Sequence, residues 1–158
     1  MAGTQTSSER LAELGIELPQ VAAPVAAYVP AAKVGNQVWT SGQLPFVDGA
    51  LPATGKVGAE VSAEDAYNFT RTALLNALAA VDDLVGLDQV TRVVKVVGYV
   101  ASDVGFTGQP GVVNGASGLV GEIFGDAGTH VRSAVGVAVL PLDSPVEIEL
   151  IVEIGDEQ

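Results

Sequence analysis

Residues Val90 to Ala101 form a run, VTRVVKVVGYVA, that is dominated by β-branched side chains. Such a run is typical of a strand in the middle of a sheet. In the segment before it, apolar residues recur at three- and four-residue spacing from Ala66 to Val81. This spacing predicts an amphipathic helix that begins at Ser62 and ends at Gly86. A buried strand directly after an amphipathic helix restricts the chain to folds in which helices cover a sheet.

A second helix is predicted from Gln109 to Phe124, because Pro110 stands in its first turn and Gly125 just past its end. Four glycines recur along it, and each costs about 1 kcal/mol relative to alanine in a helix. We expect them to provide a smooth face that packs closely against the sheet. The glycines are Gly111, Gly115, Gly118 and Gly121.

Four further strands complete the predicted order β-β-α-β-α-β-β. Gly35-Asn36 suits a hairpin turn between the first two strands. The last two are joined around Pro141–Pro145, and a hairpin closed there would place Arg132 opposite Glu153. Because both helices lie on one face, the other face of the sheet needs a partner, which predicts oligomerisation. The predicted strands are Tyr28–Val34, Gln37–Gln43, His130–Leu140 and Val146–Ile154.

A length of 158 residues fits one domain. We assign residues 25–154 to it. Residues 1–24 are predicted to form an N-terminal extension with a short helix, Ser7–Leu14, capped by Ser7 or Ser8 and ended by Gly15, followed by an extended arm, Leu18–Pro24. Residues 155–158 are a C-terminal tail.

The composition excludes several function classes. A net charge of −12 argues against nucleic acid and against an anionic membrane surface. The chain has no cysteine, which excludes thiolate chemistry and, with the lack of a signal-peptide pattern, predicts a cytoplasmic protein. His130 is the one histidine, and no carboxylates show ligand spacing, so we expect no metal. No glycine-rich phosphate loop occurs, and no cofactor is expected.

Four residues are considered as candidates for chemistry. Arg132 stands inside an apolar strand, so its charge is either paired in a structural ion pair or used to clamp an anion through two parallel hydrogen bonds. Glu147 and Glu149 alternate with apolar residues and share a face, which is either a solvated surface or a source of a general acid or base. His130 fits a strand-end surface role better than a general base.

Three motifs together resemble the signatures of the RidA/YjgF family in order and spacing. The resemblance extends from about Pro24 to Ile154, and the chain is similar to a longer subgroup of about 150 residues. It implies a chorismate-mutase-like α+β fold and a homotrimer with clefts between its subunits. The motifs are Thr40-Ser41-Gly42-Gln43-Leu44-Pro45, Val131-Arg132-Ser133, and Leu140-Pro141 followed by Val146-Glu147-Ile148-Glu149.

The resemblance also implies an activity, the hydrolytic deamination of reactive 2-imino or enamino acids of the 2-aminoacrylate type to 2-keto acids and ammonia. The catalytic residues would be Arg132, which holds the substrate carboxylate, and Glu147, which orients the water. Tyr28, Ser41 and Asn114 would bind the substrate in the cleft. A non-catalytic protein that binds small carboxylates or protects against stress through the same cleft is the alternative. The endoribonuclease label given to the family conflicts with the net charge.

The chain departs from the archetypal members at two places next to the arginine. Ala134 stands where they often carry a cysteine, so a thiol at this position cannot be required here. His130-Val131 stands where they have proline and alanine. The N-terminal extension and the loop Pro45–Gly58 are expected to reshape the cleft and, with it, the substrate range.

Overall fold

The structure, a computed structural model, describes residues 4–21, 23 and 26–156. These described residues contain three α-helices, α1 (Ser7–Glu13), α2 (Ala63–Val85) and α3 (Gln109–Phe124). Five strands form one mixed sheet: β1 (Ala31–Val34), β2 (Gln37–Thr40), β3 (Val90–Ala101), β4 (Val131–Val137) and β5 (Val146–Ile154). The predicted α+β order is confirmed. Parts of the predicted arm and tail, residues 22, 24, 157 and 158, lie outside the described residues.

The strand order is β1-β2-β5-β3-β4, so the predicted hairpin of the last two strands is wrong. β3 lies between them, antiparallel to β5 and parallel to β4. Arg132 therefore pairs with Val96, and not with Glu153. The physical reason is that α3 is the crossover of a β3-α3-β4 unit, and such a crossover returns the chain parallel to the strand that it left.

The helices begin and end at local signals in the sequence. The Ser62 side chain accepts a hydrogen bond from the Asp65 backbone and caps α2, which ends at Gly86. At α1 the N-cap is Thr6, and not Ser7 or Ser8 as predicted. Thr6 and Glu9 form a capping box, in which each side chain accepts a hydrogen bond from the other residue's backbone N–H. Ser7 and Ser8 cannot form one, because neither has a glutamate three residues later.

The prediction that the α3 glycines pack against the sheet is wrong. Gly115 faces α2, where a Cβ would come within 2.9 Å of the Tyr67 carbonyl carbon. Gly111 and Gly121 have no neighbour within 4 Å of a Cβ position. The close approach to the sheet uses a glycine of β3, Gly98, where a Cβ would meet Val113 Cγ2 of α3 at 2.5 Å.

The sheet has a helix-covered face and an open face. On β5, every second residue from Val146 to Ile154 is buried beneath the helices, and Glu147, Glu149, Ile151 and Glu153 point to the open face. Apolar side chains also lie on the open face, and Trp39, Val131 and Val135 are exposed there in the single chain.

Each of the five strands in the described residues has its predicted bounds or differs from them only at its ends. β3 and β5 have the predicted bounds. β1 starts at Ala31 rather than Tyr28, because Pro30 precedes it and lacks a backbone N–H for the ladder. β2 ends at Thr40 rather than Gln43, and β4 runs from Val131 to Val137 rather than from His130 to Leu140. None of the helices in the described residues is long and apolar enough to cross a membrane.

Candidate functional site

Glu147 lies on the open face of β5, half-buried against Gly42. A Cβ at position 42 would stand 2.7 Å from Glu147 Cδ and closer still to Oε1, so the carboxylate occupies the space that a side chain would fill. Burial raises the pKa of the Glu147 carboxyl, and the charge of Glu149 raises it further. Glu149 accepts a hydrogen bond of 3.1 Å from the Tyr99 hydroxyl. A carboxyl with a raised pKa is suited to give and take a proton near neutral pH.

The loop that carries Gly42 is fixed at two points. Gln43 and Ile148 exchange backbone hydrogen bonds of 2.8 and 3.0 Å, which extend the pairing of β5 beyond its neighbour β2. From α2, the buried amide of Asn76 donates to the Leu44 and Phe46 carbonyls, at 2.9 and 3.1 Å. The loop therefore holds a defined position beside Glu147.

Tyr28 and Glu147 line the same cavity, which has a volume of about 400 Å³. Ser41, the other predicted residue on this side, donates its hydroxyl to the Val29 carbonyl at 2.6 Å. Its backbone N–H also bonds to Pro30, so Ser41 fixes the segment that carries Tyr28. The structure thus gives Ser41 a supporting contact and places Tyr28 at the cavity itself.

Arg132 points to the helix-covered face, at the outer edge formed by β4. Its Nη1 donates to Asn114 Oδ1 at 2.7 Å and to Ser117 Oγ at 3.2 Å, and Nη2 lies 3.4 Å from the Pro110 carbonyl oxygen. All three acceptors belong to α3 and are neutral. Within the described residues, no carboxylate forms an ion pair with Arg132. A structural ion pair therefore does not account for this arginine.

His130 supports this cluster through Ser117. Its Nδ1 lies 2.6 Å from the Gly128 carbonyl oxygen, which can only accept, so Nδ1 carries the proton. In the neutral ring, Nε2 then accepts from the Ser117 hydroxyl at 2.9 Å. Because the hydroxyl donates to His130, its lone pairs face Arg132. The chain of contacts orients the guanidinium without neutralising it.

Arg132 and Glu147 lie on opposite faces of one sheet. Arg132 pairs with Val96, which is buried under the helices, whereas Glu147 pairs with Tyr99 on the open face. Their strands are separated by β3, which gives about 10 Å across the sheet, and three residues of register add about 10 Å along it. The structure brings together Arg132 with Asn114, and Glu147 with Tyr28, as two separate clusters.

Sequence reasoning missed several residues of these clusters. Ser117 was not assigned a role, although it lies one helical turn after Asn114 and so shares its face. Gly42 and Leu142, which border Glu147 and the cavity, were not singled out either, and Gly42 lies within a motif that was noticed for its serine.

In the described part of the chain, no three carboxylate or imidazole groups converge in a way that could hold a metal ion.

Comparisons with known proteins agree with this architecture. Residues 8–154 match the family model described as "YjgF/chorismate_mutase-like, putative endoribonuclease". Protein TCP17 of Trypanosoma cruzi is 40% identical over 148 residues, which are 92% of this chain and 92% of that protein. A solved structure of a "putative endoribonuclease" from Shewanella oneidensis MR-1 is 36% identical with a TM-score of 0.91, covering 94% of this chain and 99% of that one. The structure of Escherichia coli TdcF with bound serine is 26% identical with a TM-score of 0.65, covering 86% and 94%.

Proposed function

The chain belongs to the YjgF/chorismate-mutase-like family, and from that premise we propose that it hydrolyses small 2-imino or enamino acids to 2-keto acids and ammonia. The observation that carries the proposal is the guanidinium of Arg132, which α3 holds in place with neutral oxygens only. Such a group is prepared to accept a carboxylate through two parallel hydrogen bonds.

In the proposed reaction, Glu147 transfers protons. Its carboxylate takes a proton from water as the water oxygen bonds to the imine carbon. The same proton passes to the nitrogen, which gives a carbinolamine. Glu147 then takes the hydroxyl proton and delivers it to the nitrogen as the C–N bond breaks, so ammonia leaves and the carbonyl of the keto acid forms. The raised pKa of Glu147 suits both steps, because a group that titrates closer to neutral pH exchanges its proton more readily. The imine is already electrophilic, so fixing the substrate supplies most of the acceleration.

We further propose that the site forms between two subunits of a homotrimer. Within one chain the two clusters lie on opposite faces of the sheet, and a three-carbon acid cannot bridge a sheet. The apolar residues exposed on the open face, Trp39, Val131 and Val135, provide a surface that a second copy can cover. Arg132 of one subunit would then meet Glu147 of its neighbour.

The second candidate is a protein that binds small carboxylates without turning them over. It is favoured by the serine bound to TdcF, which is a small carboxylate in a relative of the same fold. Both candidates use Arg132, and only turnover separates them. RNA cleavage fits the chain less well, since a net charge of −12 repels a phosphate backbone.

The test is the hydrolysis of 2-iminopropanoate, generated in situ from alanine by an amino acid oxidase and measured above the spontaneous rate. We expect Arg132→Ala to lower kcat/KM at least about 30-fold, because removing one partner of a buried charge pair costs about 2–5 kcal/mol. Arg132→Lys should lose most of the activity, since an ammonium cannot form the two parallel bonds.

The matched control is Arg71→Ala, which removes an arginine from a helix surface pair with Glu122 and should leave kcat/KM unchanged. A wild-type protein that accelerates no imine hydrolysis, yet binds pyruvate in an Arg132-dependent way, would support the binding protein instead.

A further inference from the structure

The turn between β4 and β5 has a backbone conformation that its residues do not favour. Leu142 has φ +58° and Asp143 φ +57°, so two consecutive residues with a Cβ lie in the left-handed region. Glycine is the residue that adopts this region without a steric penalty. A leucine at position 142 is therefore unfavourable for the local backbone conformation.

Contacts around the turn hold it in this conformation. Lys56 forms an ion pair with the Asp143 carboxylate, and the Gly55 N–H donates to the Asp143 carbonyl oxygen at 2.9 Å. The Asp143 and Ser144 N–H groups bond back to Leu140 and Pro141, at 3.1 Å each. These contacts do not involve the leucine side chain, so they explain how the turn persists and not why it carries a leucine.

Burial in the core does not explain the leucine either, because 64% of its surface is exposed. The side chain instead lines the cavity that also holds Glu147 and Tyr28. Strained residues of this kind cluster at ligand sites, where the surrounding structure holds them in place. The position of Leu142 thus points to contact with a ligand.

The cavity walls are largely apolar, and beside the reacting carboxylate the polar residues of the described lining are Tyr28 and Gln43. They include Pro30, Leu44, Phe46 and Pro141 beside Leu142, and Glu147 is the one charged residue among the described lining residues. A negatively charged substituent would lose its water here without gaining a partner of opposite charge. The volume of about 400 Å³ lies within the range of small-molecule sites, and it exceeds what a methyl group needs.

We propose that this cavity receives the aliphatic side chain of the imino acid, so that the preferred substrates are 2-imino acids with about four side-chain carbons, and that Leu142 determines this preference. The inference rests on the proposed function, because it assumes that the reacting carbon lies at Glu147. The substrate carboxylate points away to the arginine of the neighbouring subunit, and the side chain extends into the apolar cavity.

The experiment compares 2-imino-4-methylpentanoate with 2-iminopropanoate. Each additional buried carbon raises kcat/KM about fourfold. The three extra carbons of the larger substrate therefore predict a kcat/KM up to about 60-fold higher. A charged substrate, 2-iminopentanedioate, should react more slowly than both. We expect Leu142→Ala to lower kcat/KM for the larger substrate about tenfold, with little change for the smaller one.

Two further variants separate contact with substrate from a structural role. Leu142→Gly removes the side chain and relieves the backbone strain, so the substrate preference should fall while the melting temperature stays the same or rises. Leu84→Ala is the control, since Leu84 is also an exposed leucine but lies on α2 and outside the cavity lining. It should leave the preference unchanged.

The inference would be overturned, and the proposed function left intact, if 2-iminopropanoate were hydrolysed as fast as 2-imino-4-methylpentanoate or faster. The same holds if Leu142→Gly leaves the preference for the larger substrate unchanged. If neither imine is hydrolysed, the proposed function fails. Calorimetry that compares the affinities for 4-methyl-2-oxopentanoate and pyruvate then decides whether the cavity receives an aliphatic side chain. Tighter binding of the larger acid, lost in Leu142→Gly, supports the cavity's role, whereas equal affinities refute it.

Discussion

Replacing Gly42 by alanine is expected to inactivate the protein without unfolding it. The new Cβ would stand 2.7 Å from Glu147 Cδ, whereas ordinary contacts begin at 3.4 Å, so the carboxylate must retreat by roughly an ångström. It can do so, because it is the free end of a flexible side chain and faces a cavity. A displacement of about 1 Å at a catalytic group can cost on the order of 100-fold in rate. We therefore expect kcat/KM for imine hydrolysis to fall about 100-fold.

The assay pairs that rate with thermal unfolding, and Gly105→Ala serves as the control. Gly105 has no atom within 4 Å of its Cβ position, and neither glycine has a positive φ that alanine would resist. Each substitution removes freedom from the unfolded chain, so the melting temperature should hold or rise slightly in both variants. Full activity in Gly42→Ala would refute the reasoning that the position of the Glu147 carboxylate controls the reaction.

Three other predictions follow from the same contacts. The folded state raises the pKa of Glu147, so the stability that Glu147 contributes is present at acid pH, below the unfolded pKa, and is lost as the pH rises through the folded pKa. Glu147→Gln should therefore raise the melting temperature at pH 7 but not at pH 3.5. An equal effect at both pH values would contradict this prediction. Ser117→Ala removes one hydrogen bond to Arg132, which is worth about 1 kcal/mol, so the affinity for pyruvate measured by calorimetry should fall about fivefold, and an unchanged affinity would exclude the support role. Light scattering should give a trimer for the wild type and smaller species for Val135→Glu, which places a charge on the open face; a wild-type monomer at micromolar concentration would contradict the assembly.

The sequence predicted those elements whose signals are local. β3 and β5 have their predicted bounds because β-branched runs and strict alternation define them, and α3 because Pro110 and Gly125 mark its ends. The alternation along β5 also placed Glu147 and Glu149 correctly on the face away from the core. These features depend on neighbours within a few residues.

The strand order required information that is not local. Consecutive strands β4 and β5 resembled a hairpin, yet β3 lies between them, since pairing depends on the whole arrangement of layers. The β3-α3-β4 pattern did contain a signal for parallel pairing, and applying it would have excluded the hairpin. The Ser117–His130 contact and the turn at Leu142 could not be predicted, because each depends on the exact approach of separate elements.

The central claim is that Arg132 of one subunit and Glu147 of another act on the same substrate. The most direct measurement mixes the inactive Arg132→Ala and Glu147→Gln proteins, allows their subunits to exchange, and follows imine hydrolysis. Mixed trimers should regain a fraction of the wild-type activity, because some clefts receive both intact residues, while each variant alone stays inactive. If native mass spectrometry shows mixed trimers and activity does not return, the site does not form between subunits.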